Sequence, residues 1–517
     1  MNCNGLKLLH RITMGLTIAL SSPSTFGQEE IWKVRGDQLN QGLGNILDSV
    51  GDLTGDGIPE IVACGSGLAR VLSGVDGSTV YSNYGTNPTD GFGGSLAVLG
   101  DVDGDGVSDF AVGASGVDNS LTNQGAVFVY SGQAGALIYS VYGSSAGDAL
   151  GWALAALGDV NADGIGDFAV GSIADYALVL SGVDGSLIWT LTSPTKPLFF
   201  GRSLGGGGDV DADGVPDVVV GDIYSWYGIK DGGAACVFSG ATGALLHEFG
   251  STEIDAYFGY SVTIPGDVDL DGFADVLIGA PADDRLLVGG GGYAAVYSGK
   301  DGSILMSFLP YDTNYARSWS IGVCVGGAND TNDDNYPDLL IGAPSFSADY
   351  MLRTSTFLFS GRDGGLLYHF HPDGPSSGVG NALARAGDLD GDGLPDFAFG
   401  AWFEDNGSLQ YAGSVSTWRG HKFFVDTLPH NAHSFDPVTM MIGQGVAGNF
   451  YALFLRSLNG TPTFALLSLG ALDAAGRSSL STTIPPGLGF ISLDLQALTL
   501  DANGKLVPSN VETFTTQ

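Results

Sequence analysis

The feature that most restricts how this chain can fold is an acidic nine-residue segment that recurs seven times. The copies begin at Asp52, Asp101, Asp159, Asp209, Asp267, Asp330 and Asp388, at intervals of 49, 58, 50, 58, 63 and 58 residues. A period of this size is the mark of a repeat architecture and decides the fold before any local argument does. The register around each copy is fixed. Eight residues before the first Asp stands a glycine (Gly44, Gly93, Gly151, Gly201, Gly259, Gly322, Gly380), preceded by an apolar residue (Leu43, Phe92, Leu150, Phe200, Phe258, Ile321, Val379). After each segment comes an apolar run such as FAVGA or VLIGA. Six copies then carry a run ending in Ser-Gly and a turn, as in VYSGQAGA, and the seventh has the degenerate VSTWRGHK. Another apolar run follows each Ser-Gly turn, for example ALIYSVYG.

About four short β-rich runs per repeat, separated by glycine turns, predict one small antiparallel sheet per copy. Seven such sheets make the fold class all-β, a seven-bladed β-propeller whose blades pack around an axis. The period exceeds the ~40–45 residues of WD40 blades. EIWKVRGDQLNQGLGN near the N-terminus aligns with LIYSVYGSSAGDALGW, the run that follows the Ser-Gly turn elsewhere, and the seventh copy lacks that run. Residues 31–35 are therefore expected to complete the seventh blade, which removes a free sheet edge. The same alignment puts Gly36 of the tripeptide Arg35-Gly36-Asp37 where Gly143 falls. That makes the tripeptide ordinary blade geometry and not an adhesion ligand.

The segment reads D-x-[DNT]-x-D-[GN]-x-x-[DE]. Positions 1, 3, 5 and 9 carry side-chain oxygens and position 7 offers its carbonyl, a set that suits a hard cation of flexible coordination, Ca²⁺ rather than Zn²⁺. The candidate ligands are Asp52, Thr54, Asp56, Ile58 and Glu60 in the first loop, then Asp101, Asp103, Asp105, Val107 and Asp109 in the second. The third has Asp159, Asn161, Asp163, Ile165 and Asp167, and the fourth Asp209, Asp211, Asp213, Val215 and Asp217. Asp267, Asp269, Asp271, Phe273 and Asp275 form the fifth, and Asp330, Asn332, Asp334, Tyr336 and Asp338 the sixth. The seventh holds Asp388, Asp390, Asp392, Leu394 and Asp396, so up to seven calcium ions are expected. Position 6 must turn sharply and is glycine six times and Asn335 once, the next most tolerant residue. An EF-hand would place a bidentate Glu at position 12. Here that position is Ala63, Val112, Val170, Val220, Ile278, Ile341 or Phe399, part of the following strand.

Charge sets the class of partner. With 19 Lys+Arg against 56 Asp+Glu the formal charge is -37, which repels nucleic acid and anionic membrane surfaces and leaves divalent cations as the natural counter-charge. Lys7, His10 and Arg11 before the apolar run ITMGLTIAL read as an export signal over residues 1–27. No later run approaches the ~18 apolar residues of a membrane span, so a soluble, secreted or cell-surface chain is expected. Cys64, Cys236 and Cys324 have unrelated spacings and apolar neighbours, as buried unpaired thiols do.

The apolar-Gly pair, the acidic loop and the following Gly-Ala-Pro (IGAPA at 278–282, IGAPS at 341–345) resemble FG-GAP repeats, as in the integrin α-chain propeller. The resemblance covers residues 31–420. It implies a propeller with Ca²⁺ in loops on one face and ligand recognition commonly on the opposite face. The chain departs from integrin α in having a metal loop in every blade and in lacking the long stalk and membrane span. Fold and metal ligands therefore carry over, and the heterodimeric receptor function does not.

Residues 421–517 leave the acidic repeat, and runs such as NFYALFLRS and LGFISLDLQALTLD fit a small β-sandwich. The expected function is calcium-stabilised binding of an extracellular protein or glycan ligand. An extracellular polysaccharide lyase or hydrolase on the propeller is the alternative, and a structural cell-surface or matrix component the third. No nucleophile elbow, HExxH or phosphate loop is present. His369, His371, His430 and His433 read as exposed turn residues. The segments 221–233 and 311–319 are the aromatic inserts that break the sevenfold pattern.

Overall fold

Each repeat folds into four antiparallel strands, and blade 1 sets the pattern: Ile46–Gly51 pairs with Glu60–Gly65, then Leu68–Leu72, then Thr79–Tyr84. The computed structural model describes residues 30–194, 199–225, 232–251, 253–283, 291–308, 321–332, 334–343, 355–370, 380–391, 393, 395–420 and the strand backbones between 424 and 515. Seven four-stranded blades follow one another and the described residues contain no helix. The second strand of each blade reads as a continuous apolar run because both its faces are covered; in Asp275–Ala280 and Asp338–Ala343 every residue is buried. Outermost strands such as Leu137–Tyr142 are largely half-exposed. The first strands ring the axis, and Ile46–Gly51 of blade 1 lies against Ala382–Gly387 of blade 7.

The ring closes through the N-terminal strand. Glu30–Arg35 is the fourth strand of blade 7, with Val34 opposite Val415 and Arg35 opposite Ser414. Glu404 anchors this strand, accepting from Lys33 Nζ at 2.7 Å, Arg35 at 3.0 Å and Ser414 Oγ at 2.6 Å. Burial opposes its ionisation, but the hydrogen bonds and positive charges hold its carboxyl below the usual range. Asp37 pairs with Arg70 at 3.2 Å and accepts from Gln41. The Gly36 amide donates to Gly413 O at 2.9 Å, as Gly143 does to Gly125 O at 3.1 Å. Both charged side chains of the Arg-Gly-Asp tripeptide are thus engaged in closing the ring.

Seven hydrophobic clusters occupy the seven contacts between neighbouring blades, including one across the closure that joins Leu43 and Ile61 to Ala398 and Val415. The repeated glycines let these faces approach. A Cβ on Gly279 would lie 2.1 Å from the Gly322 carbonyl of the next blade, and one on Gly400 would lie 1.9 Å from that of Gly44. A second fastening runs from the third residue of several outer strands to the next blade's Ser-Gly glycine. Tyr81 and Tyr139 hydroxyls donate to Gly132 O and Gly182 O at 2.6 Å, and Trp189 Nε1 donates to Gly240 O at 2.8 Å.

Beyond the propeller, Phe424–Leu428, Pro437–Gly443 and Ser478–Thr483 form a three-stranded antiparallel sheet. A four-stranded sheet has the order Thr461–Ala471, Phe450–Leu458, Ser492–Leu500, Leu506–Thr515. Their packing into a sandwich rests on the sequence pattern. The expected export signal, His371, His430, His433, residues 311–319 and residues 226–231 of the first insert lie outside the described residues. No helix among the described residues is long and apolar enough to cross a membrane. Cys64 and Cys236 are buried and Cys324 half-buried, all as free thiols. One expectation is corrected: His369 belongs to the strand Leu366–Phe370 and not to a turn, because the β-run LLYHF continues through it.

Candidate metal centres

All seven acidic loops join the first strand of a blade to the second, so they share one face of the ring. The chain reverses direction once more before the Ser-Gly turn, which returns that turn to the same face. Position 1 shapes each loop. Its Oδ2 accepts the position-6 amide at 2.7–2.9 Å in all seven copies, from Asp52 and Gly57 to Asp388 and Gly393. Position 6 is left-handed throughout, with φ of 89° at Gly57, 95° at Gly272 and 69° at Asn335. A Cβ at Gly57, Gly106 or Gly164 would meet nothing within 4 Å, so conformation and not space selects glycine there. Position 5 turns back on the loop, Asp56 Oδ1 and Asp105 Oδ1 accepting from the position-7 amides at 2.9 Å.

Position 9 lies at the base of each loop. Glu60, Asp109, Asp167, Asp217, Asp275, Asp338 and Asp396 are all fully buried. One carboxylate oxygen faces the loop and accepts the position-2 amide, as Asp109 Oδ2 does from Val102 at 2.8 Å and Asp217 Oδ2 from Val210 at 2.6 Å. In blades 2 to 7 the other oxygen accepts the amide of the Ser-Gly glycine: Gly132 to Asp109 at 2.9 Å, Gly240 to Asp217 at 2.9 Å, Gly420 to Asp396 at 2.7 Å. A Cβ on that glycine would fall 1.9 Å from the position-8 carbonyl at Gly132 and 1.8 Å at Gly361. Sequence reasoning took the Ser-Gly pair for a turn only. It is the floor of the site, and its recurrence beside each loop was the available signal.

Two further features were also missed. Position 4 is left-handed as well, at Ala162 (φ 61°), Ala212 (58°) and Leu270 (60°), where the sequence offers no glycine to signal it. Basic side chains also approach two loops. Lys300 Nζ lies 3.3 Å from Asp271 Oδ2, and Arg419 Nε forms an ion pair with Asp390 Oδ2.

The structure brings the expected ligands together to different degrees. Carboxylate oxygens of Asp101, Asp103 and Asp109, of Asp209, Asp211 and Asp217, of Asp267, Asp269 and Asp271, and of Asp388, Asp390 and Asp396 lie within 4.8 Å of one another. These are the loops with Asp at position 3; elsewhere Thr54, Asn161 or Asn332 supplies a neutral oxygen. Asp392 and Leu394 lie outside the described residues. The donor set consists of oxygens alone, and at two ligand positions a buried oxygen, Glu60 Oε1 and Asn332 Oδ1, has no hydrogen-bond partner. A bound cation would satisfy both. Burial pushes the Asp217 carboxyl up to about 6 and those of Asp275 and Asp338 up to about 7, and it raises Glu60, Asp109 and Asp167 too. At position 3, burial and then repulsion from Asp213 raise Asp211, as burial and Asp271 raise Asp269. Such crowded, desolvated carboxylates fit a divalent cation.

Residues 92–130, which span the second acidic loop from Phe92 to Tyr130, match the family model FG-GAP repeat. That stretch is an FG-GAP repeat. The chain is 27% identical to Integrin alpha-5 of Xenopus laevis over 297 residues, half of this chain and 26% of that one. It is 32% identical to Integrin alpha-V of Gallus gallus over 166 residues, 30% of this chain and 15% of that one. The matches therefore span about a quarter or less of these relatives' length. Among solved structures, the BBS1N chain in complex with ARL6DN aligns at TM-score 0.48 and 11% identity, over 76% of this chain and 97% of that one.

Proposed function

We propose that this protein is an extracellular, calcium-stabilised propeller of the adhesion type, which recognises a protein or glycan ligand on the face opposite its acidic loops. The propeller comprises residues 31–420, and residues 421–517 form an accessory β-domain. The observation that carries the reading is the set of buried position-9 carboxylates, capped in blades 2 to 7 by amides from two segments and topped by further oxygen donors. The likeness to integrin α chains supports the adhesion-type role and a protein ligand.

Calcium would be held by side-chain oxygens at positions 1, 3, 5 and 9 and by the position-7 carbonyl. Its charge would neutralise carboxylates that otherwise repel one another. The protein's own contribution is to hold those oxygens in place through the position-1 cap and the Ser-Gly floor. Because the floors of blades 1 to 5 also receive the outer-strand ring of the preceding blade, those metal loops brace blade contacts. The metal would thereby keep the opposite face rigid. The test is binding of the purified chain to arrays of extracellular matrix proteins and glycans, with calcium and with EDTA. Saturable, calcium-dependent binding to one class supports the reading, and no binding to either class in calcium overturns it.

A further inference from the structure

The seven loops are alike in sequence but not in surroundings, and the seventh differs in kind. In blades 1 to 6 the residue before the floor glycine is serine: Ser73, Ser131, Ser181, Ser239, Ser298 and Ser360. The Gly420 amide donates to Asp396 Oδ1 as Gly132 does to Asp109 Oδ1, which fixes the register of blade 7 and puts Arg419 in the serine's place. In blade 2 that serine touches the loop, Ser131 Oγ donating to Asp105 Oδ2 at 3.3 Å. In blade 7 a guanidinium takes over this position and forms an ion pair with Asp390, the position-3 ligand candidate.

We infer that Arg419 is a tethered cation that takes the place of calcium in the loop of blade 7, so that the propeller holds metal in six loops and its closing blade without one. Arg419 works against a divalent ion in this loop. A carboxylate oxygen that would face the ion is already engaged, and a fixed positive charge stands beside the site. Arginine stays protonated at any pH the fold survives, so the pairing does not lapse. Side-chain exposure supports it, at 27% for Arg419 and 11% for Asp390. Lys300 at loop 5 is a different case. It is 52% exposed, meets only the position-5 carboxylate, and lies 5.1 Å over the Phe273 ring, so it can withdraw along its flexible stem.

This inference rests on the calcium reading above, and counting ions separates the two. The full chain, equilibrated in buffered calcium and gel-filtered, is assayed by atomic emission and by calorimetric titration. Wild type should hold six ions, Arg419→Ser seven, and Ser131→Arg, which transfers the cation to blade 2, five. Circular dichroism checks that each variant is folded, and the transfer variant keeps the inference testable should Arg419→Ser not fold. Equal stoichiometry in wild type and Arg419→Ser, or seven ions in wild type, overturns it. No calcium in any variant overturns the calcium reading itself.

Discussion

The indole Nε1 of Trp32 donates to the Gly74 carbonyl at 2.7 Å, joining the N-terminal strand of blade 7 to the floor of the blade 1 loop. It is the closing instance of the contact that Tyr81, Tyr139 and Trp189 make around the ring. One glycine, through its amide and its carbonyl, thus serves both a metal loop and a blade interface in blades 2 to 4.

Trp32→Phe keeps the ring's bulk and removes the donor, leaving a buried carbonyl without this partner. A loss of about 1–2 kcal/mol is expected, read as a lower denaturant midpoint with an unchanged slope. An unaltered midpoint would show that water or another donor replaces the indole.

Chelation should lower the melting temperature strongly and reversibly. Each site stabilises the fold by ~1.4–2.7 kcal/mol at ten to a hundred times its dissociation constant. Six sites would give roughly 8–16 kcal/mol, comparable with the ~5–15 kcal/mol net stability of ordinary proteins. Thermal melts across a calcium series test this, and a melt insensitive to EDTA would contradict it.

The stabilisation should depend on pH with a definite sign. Without metal, burial raises the carboxyls of Asp217, Asp275 and Asp338 to about 6 to 7. The metal-free fold then binds more protons than the unfolded chain between about pH 4 and 7, and it loses stability as pH rises through that window. Calcium requires the ionised carboxylates, so its increment is lost as pH falls. The calcium-induced rise in melting temperature should be large near pH 7.5 and small near pH 5. Equal increments at both would refute the assignment of these groups.

Two glycine substitutions in blade 2 should fail differently. Gly132→Ala drives a methyl to 1.9 Å from Ser108 O and displaces the amide that caps Asp109, so both stability and calcium affinity should fall. Gly106→Ala meets open space and costs only its left-handed backbone, about 1–2 kcal/mol. Calorimetry on both separates a packing loss from a conformational one.

Leu270 offers a gain. At φ 60° and 51% exposed it contributes little packing, so Leu270→Gly should raise stability by about 1 kcal/mol. A lower melting temperature would mean that its side chain packs more than its exposure implies.

Much of this was legible in the sequence because the repeat supplies seven readings of the same physics. Asn335 beside six glycines revealed the turn at position 6, and the missing run after VSTWRG revealed that residues 31–35 belong to blade 7. What stayed hidden depends on contacts between segments that no local pattern joins. Gly132 meets Asp109 across 23 residues and Tyr81 across 51, so its Ser-Gly pair looked like a turn. Left-handed Leu270 is invisible because its side chain is the wrong one for that backbone. Arg419 was seen only as a flaw in a motif, since its meaning lies in the position of Asp390.

The strand Glu30–Arg35 has a consequence in time. Thr417 Oγ1 reaches the Trp32 carbonyl from 385 residues away, so the earliest strand of the ring waits for almost the last before it can pair. Blades 1 to 6 are local and can condense as they are synthesised, whereas ring closure is a late, high-contact-order event. Any chain interrupted before Ser414 is left as an open ring with bare edges. Biosynthesis therefore commits to this fold only when its two ends meet.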